Sequence, residues 1–201
     1  PIAEPTPGPT ATPLPSAVPE LPKSESAGRI RSVTLKQGSG DGYVQLAAGS
    51  IKNSTEHPDA DLRAAVTTQS LPFAIEKNSG EPQILIMHTH ATESYQTWPD
   101  PVFDENYTAR SKNTALNMVA VGAEMARVLN AAGISTLHDT TLYDAPGYTS
   151  SYQRSRAGVQ DYLARYPSIK IVLDVHRDAI EDSDGTRVKP VCEICLLYTS
   201  P

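Results

Sequence analysis

The chain has 201 residues and a formal net charge of -6 at neutral pH. This acidic balance argues against nucleic acid or an anionic membrane surface as the main partner, because neither would attract the protein electrostatically. The length allows one domain with a packed core and an extension. Only two cysteines, Cys192 and Cys195, are present, which excludes a fold held by several disulfides, and we assign this pair no functional role.

Residues 1–27 are rich in proline and poor in bulky apolar residues, which predicts a linker. Proline favours extended polyproline II, so this linker should be a semi-rigid spacer. Two interpretations remain open: a stalk that holds a domain away from a surface, or a disordered tail. No apolar run reaches about 18 residues, so we expect neither a membrane span nor an intact signal peptide. Because the chain begins at Pro1 rather than Met, we expect that an N-terminal segment is missing.

Residues 28–78 are predicted to form a β-rich N-terminal extension. Alternating apolar and polar residues at 30–35 and 43–46 flank a glycine-rich stretch, which predicts a β-hairpin or a pair of edge strands. A short helix is expected near residues 61–68.

From residue 79 the pattern predicts an α/β domain with a mostly parallel sheet flanked by helices. The apolar runs at 84–87 and 169–175 are typical of buried strands. Apolar residues spaced by three and four predict a helix over 113–132, which Gly133 would cap, and a strand follows at 134–137. A second helix is predicted over 150–166, ending before Pro167.

Polar clusters follow two of the predicted strands. His88, His90 and Glu93 come directly after the first, and His176 ends the last. The carboxyl ends of strands in an α/β sheet border its binding crevices, so these side chains should converge. A lone histidine beside a strand is more often a hydrogen-bonded core residue, but this set matches the ligands of a catalytic zinc ion. Either His88 or His90 could be the ligand, and we prefer His88 because it lies closest to the strand.

Other polar groups surround this predicted site. Asp174, Arg177 and Asp178 would support the imidazole of His176 or substrate, or would form a surface salt bridge. His90, if it is not a ligand, belongs with them. His138 is expected to be a supporting or surface residue. Three aromatic residues are candidates for lining a groove beside the site: Tyr95, Trp98 and Tyr148.

Four motifs together resemble the stage II sporulation protein P family, a family of peptidoglycan hydrolases. They are I-L-I-M-H-T-H-A-T-E-S-Y, N-M-V-A-V-G, H-D-T-T-L-Y-D and I-V-L-D-V-H-R-D-A, in this order, and the resemblance covers residues 83–179. It implies a fold similar to that of zinc-dependent N-acetylmuramoyl-L-alanine amidases. It also implies cleavage of the amide between glycan and stem peptide, and of peptide cross-links, during engulfment of the forespore.

Carried onto this sequence, the resemblance implies Zn²⁺ at His88, Glu93 and His176. The implied partners are peptidoglycan and a SpoIID-like protein, without nucleic acid. The implied location is extracytoplasmic, between mother cell and forespore, with the parent protein held to the membrane by a missing N-terminal anchor.

The resemblance also implies a general-base glutamate near the end of such domains, and no residue after Asp178 matches it. We therefore expect residues 79–190 to form a partial catalytic domain, incomplete at its C-terminus and inactive by itself, and residues 191–201 to be a non-native tail. The alternative is a non-catalytic module that binds the cell wall and has a structural or vestigial metal site.

Overall fold

A computed structural model of the chain describes residues 27–47, 49–96, 102–104 and 108–191. Most of the predicted linker and tail, with Trp98, Cys192 and Cys195, lies outside these residues. In chain order, the elements are β1 (Ala27–Thr34), β2 (Tyr43–Leu46), β3 (Gly49–Lys52), α1 (Asp59–Thr67), β4 (Ile84–Met87), β5 (Val102–Asp104), α2 (Met118–Ala131), β6 (Thr136–His138), α3 (Ser151–Arg165), β7 (Ile171–Asp174), β8 (Ile180–Glu181) and β9 (Arg187–Val191). No helix in the described ranges is long and apolar enough to cross a membrane.

The chain divides into two compact units. One comprises Pro1–Gly28 and Ile75–Ala179, and the other Arg29–Ala74 and Ile180–Pro201. The first of these contains every residue predicted for the site. The residues after Ala179, which we had assigned to the catalytic domain up to residue 190, group instead with the β-rich extension.

The larger unit is built on a parallel sheet in which β4 lies between β6 and β7. Ile84 of β4 pairs with Thr136 of β6 and with Ile171 of β7. All four residues of β4 are buried, as expected for the central strand of a parallel sheet. The predicted strand, helix, strand order is thus confirmed, and the mixed α/β class with it.

Alternation along β4 directs successive side chains to opposite faces of the sheet. Ile84 and Ile86 form the core with Ala126 of α2, so α2 covers their face. Met87 points to the other face and lines a cavity of about 390 Å³ with Tyr152 and Val159 of α3. The sheet therefore lies between two helices.

Helix α2 begins later than predicted because Asn117 caps it. The Asn117 side chain accepts a hydrogen bond from the backbone N–H of Val119, which satisfies one of the unpaired donors of the first turn. Gly133 follows the helix with a positive φ of 80°, in the position predicted for a glycine cap. Val128, which we counted among the regularly spaced apolar residues of this helix, is 50% exposed, so the inner face that the spacing predicts is wrong at this position.

The smaller unit confirms the predicted strands but not their pairing as one hairpin. β2 pairs with β3 in an antiparallel hairpin, whereas β1 pairs in parallel with β9. β9 also pairs with β8 in an antiparallel arrangement. Helix α1 is present where a short helix was expected. Neither β8 nor β9 was predicted, because their sequences lack an apolar run.

A pair of histidines, the buried His88 after β4 and the half-buried His138 of β6, lies against α2. Nε2 of His88 lies 2.9 Å from Nε2 of His138, and Nδ1 of His88 lies 2.9 Å from the carbonyl oxygen of Val175. Since the carbonyl can only accept, Nδ1 of His88 donates to it, and His138 then donates to Nε2 of neutral His88. Gly122 of α2 packs on this pair so closely that a Cβ there would lie 2.4 Å from Nε2 of His88.

Burial lowers the pKa of both histidines. For His138 the pKa falls to about 4, mainly through burial and also through the neighbouring His88. For His88 burial is again the main cause, and the hydrogen bond to Val175 opposes it only in part. Both rings are therefore neutral near pH 7, which leaves Nε2 of His88 able to accept from His138.

Replacing Ile86 by alanine should destabilise the protein by about 2–5 kcal/mol, because the fully buried side chain would leave a cavity between the sheet and α2. Chemical denaturation measures this loss. The matched control is Val128→Ala on the exposed face of α2, which should change the free energy of unfolding by less than about 0.5 kcal/mol.

The stability should also fall as the pH is lowered from 6.5 towards about 4. In that window the unfolded chain binds a proton at His138 while the folded protein does not, so the free energy of unfolding decreases with each step down in pH. His138→Gln, whose amide can still donate to His88, should flatten this dependence in denaturation curves. The exposed His57→Gln is the control. An unchanged slope in His138→Gln would contradict the assignment.

Candidate functional site

The candidate site lies where β4 and β7 end. After β4 the chain turns tightly, and the backbone N–H of Glu93 donates to the carbonyl oxygen of His90 at 3.0 Å. After β7 the chain continues through His176. Because the two strands are parallel neighbours, their carboxyl ends bring these segments together, as predicted from the sequence.

The ring of His176 is oriented by Asp174. Its Nε2 lies 3.0 Å from Oδ1 of Asp174, and both side chains are about one third exposed. Asp174 itself accepts two hydrogen bonds from Thr89, one from the backbone N–H at 2.8 Å and one from the hydroxyl at 2.7 Å. Burial raises the pKa of the Asp174 carboxyl, but the bonds from Thr89 and His176 outweigh it and leave the pKa below its usual value. This bonding leaves Nδ1 of His176 facing away from Asp174.

Glu93 and His90 approach that free side of His176. Oε2 of Glu93 lies 3.8 Å from Nδ1 of His176, and the ring centroids of His90 and His176 are 5.3 Å apart. Both Nδ1 of His90 and Oε2 of Glu93 are buried and have no hydrogen-bond partner among the residues that the structure describes. Buried polar atoms of this kind are rare in folded proteins, and a bound ligand is one explanation for them.

The structure separates the two histidines of the H-T-H motif. His88 continues the alternation of Ile84 and Ile86 and faces α2, where Val175 and His138 occupy its two ring nitrogens. His90 follows after the strand has ended and faces the other way. It stacks on Tyr148 with ring centroids 4.5 Å apart, and Tyr152 meets it edge-on.

Two residues that the sequence analysis did not single out support Glu93. Asp144 is buried and accepts hydrogen bonds from the backbone N–H and the hydroxyl of Thr92. Arg110 places Nη1 3.0 Å from Oδ2 of Asp144 and Nη2 3.8 Å from Oε1 of Glu93. Arg110 belongs to no pattern or motif, and Asp144 ends the motif H-D-T-T-L-Y-D, to whose acidic residues the sequence analysis gave no role.

The other residues that were predicted for the site have the following contacts and exposure. Arg177 donates to the carbonyl oxygen of Ala109, and Asp178 accepts from the backbone N–H of Ala179. Tyr95 and Tyr148 are both more than half exposed, which would leave them accessible to a substrate.

No group of three histidine, cysteine or acidic side chains within the described ranges is close enough to hold a metal ion as the structure stands. His90, Glu93 and His176 lie side by side, and two of them carry the buried atoms that have no partner among the described residues. His88 could join such a set by giving up the bond of its Nε2 to His138, since its Nδ1 could keep the bond to Val175.

Comparison with known proteins gives one consistent result. The family model described as Stage II sporulation protein P (SpoIIP) matches residues 24–191. A relative from Bacillus subtilis (strain 168), named stage II sporulation protein P, is 28% identical over 167 residues, which cover 76% of this chain and 41% of the relative. The chain thus spans about two fifths of the length of this curated relative. No solved structure gives a significant match. Since the family match extends over most of the sequence, this chain belongs to the stage II sporulation protein P family.

Proposed function

We propose that the chain contributes the zinc-binding part of a peptidoglycan hydrolase that acts during sporulation. The bond cleaved is the amide between N-acetylmuramic acid and L-alanine of the stem peptide, with peptide cross-links as further substrates. Family membership supports the cell-wall context. The observation that carries the catalytic proposal is the pair of buried, unpartnered atoms, Nδ1 of His90 and Oε2 of Glu93, beside His176.

The zinc ligands we propose are His90, Glu93 and His176. Two imidazoles and one carboxylate form a usual protein ligand set for a catalytic zinc ion and leave a position open. The carboxylate of Asp174 on the far nitrogen of His176 matches the support that zinc-bound histidines usually have. His90 replaces His88, our first choice from the sequence, because Nε2 of His88, the nitrogen that is not bonded to Val175, already has His138 as its partner.

A zinc ion at such a site supplies Lewis acidity and lowers the pKa of water. The residues of the chain would bind the zinc ion and orient its ligands. Asp174 holds the tautomer of His176 that leaves Nδ1 free, and Thr89 fixes Asp174 in turn. The exposed ring of Tyr148 offers a surface on which a sugar or peptide can rest. We assign no general base among the described residues.

The biological setting is a further part of this proposal. Family membership supports an extracytoplasmic protein that would meet peptidoglycan between mother cell and forespore, in a parent protein anchored in the membrane. A SpoIID-like protein is the proposed partner during engulfment.

The test is zinc binding and turnover in the longest natural form of the protein that contains these residues. Metal analysis after dialysis should give one zinc per chain, and mass spectrometry of digested peptidoglycan should find free stem peptides. His90→Ala should weaken zinc binding by more than about 100-fold and abolish turnover, since the loss of a ligand exceeds the loss of a supporting group.

The matched control is His88→Asn, whose amide can still donate to Val175. It should keep zinc but unfold at a lower temperature, because His138 loses its acceptor. Loss of zinc in His88→Asn with zinc retained in His90→Ala would return the ligand role to His88. Wall binding without turnover by a zinc-loaded protein would instead favour the non-catalytic module.

A further inference from the structure

Arg110 lies directly opposite Glu93 because of a short antiparallel contact. Glu93 and Arg110 form a β-bridge, and the flanking bonds run from Ser94 N–H to Ala109 O at 3.0 Å and from Ser111 N–H to Thr92 O at 2.7 Å. Side chains directly opposite in such a pairing emerge on the same side, with Cβ atoms about 4.5–5.5 Å apart. The backbone pairing therefore places the guanidinium of Arg110 beside the carboxylate of Glu93.

The guanidinium of Arg110 is also held by Asp144 and Thr92. Its Nη1 lies 3.0 Å from Oδ2 of Asp144 and 3.4 Å from the hydroxyl of Thr92, while Nη2 lies 3.8 Å from Oε1 of Glu93. Asp144, buried and bonded to both the backbone and the hydroxyl of Thr92, is fixed in place. The guanidinium of Arg110 is planar and lies between the fixed carboxylate of Asp144 and the carboxylate of Glu93. It therefore restricts the rotation of the Glu93 side chain.

Arg110 also reaches the second proposed ligand. Its guanidinium carbon lies 5.1 Å from the ring centroid of Tyr148, which stacks on His90. One side chain thus contacts Glu93 through one terminal nitrogen and the ring that packs on His90 through its planar face.

We propose that Arg110, anchored by Asp144, is a positioning residue that turns Oε2 of Glu93 towards His176 and holds the ring packed on His90. This rests on the proposed zinc site. Two roles for Arg110 predict opposite results. A cation this close to a ligand repels a divalent ion, so a purely electrostatic role predicts tighter zinc binding once the charge is removed. A positioning role predicts weaker zinc binding both when the charge of Arg110 is removed and when the charge is kept but the planar guanidinium is lost.

The experiment measures zinc affinity by competition with a chromophoric chelator in the wild type, Arg110→Lys and Arg110→Gln. Lysine keeps the charge but cannot bridge two carboxylates with a planar fork. We expect both variants to bind zinc about 10–100-fold more weakly, the range for loss of a group that supports a ligand. Thermal unfolding without zinc is recorded for both variants, because Arg110→Gln leaves the buried carboxylate of Asp144 without its ion pair while Arg110→Lys keeps a positive charge beside it.

The control is Arg127→Lys, which alters an ion pair with Glu124 on the exposed side of α2 and should leave zinc affinity unchanged. Unchanged or tighter binding in either Arg110 variant overturns the positioning role while the zinc site stands. Absence of zinc binding by the wild type instead overturns the proposed function. Asp144→Asn should reproduce the loss of affinity where it folds, and the Arg110 variants decide the question where it does not.

Discussion

The hydrogen bonds between the ends of β4 and β7 are the constraint on which the site depends. His88 donates to the carbonyl oxygen of Val175, and Thr89 donates twice to Asp174. Consecutive residues of one strand end thus hold consecutive residues of the other. Because Asp174 then accepts from His176, the orientation of the candidate ligand is set by bonds that begin in the sheet. Hydrogen bonds to a carboxylate are stronger than those between neutral groups, which favours a single arrangement.

The sequence predicted the framework of this site because the framework is encoded locally. The apolar runs of β4 and β7 show where the strands are, and the rule for parallel sheets then brings Glu93 and His176 together. The direction in which His88 faces could also have been read from the sequence. His88 continues the alternation of Ile84 and Ile86, so it faces the same helix as they do.

What the sequence did not predict are the interactions between segments that are distant along the chain. Asp144 contacts Thr92 across 52 residues, and Arg110 reaches Glu93 through a two-residue bridge. β9 is a similar case, since it contains Pro190 and charged residues and reads as a loop. It is a strand because β1 provides a parallel partner, and β8 pairs only with Arg187 and Val188, so Pro190 meets no strand on that side within the described ranges.

The two histidines of one motif differ in their hydrogen bonds and not in their burial. His88 and His90 are almost equally buried, yet among the described residues only His88 has partners at both ring nitrogens. A buried polar atom without a partner costs about 1–3 kcal/mol, so Nδ1 of His90, which has none among the described residues, stores free energy that a ligand there would recover. His88 would have to give up the bond of its Nε2 to His138 to take the same ligand, although its bond to Val175 could stay. The difference in hydrogen bonding therefore favours His90 for binding.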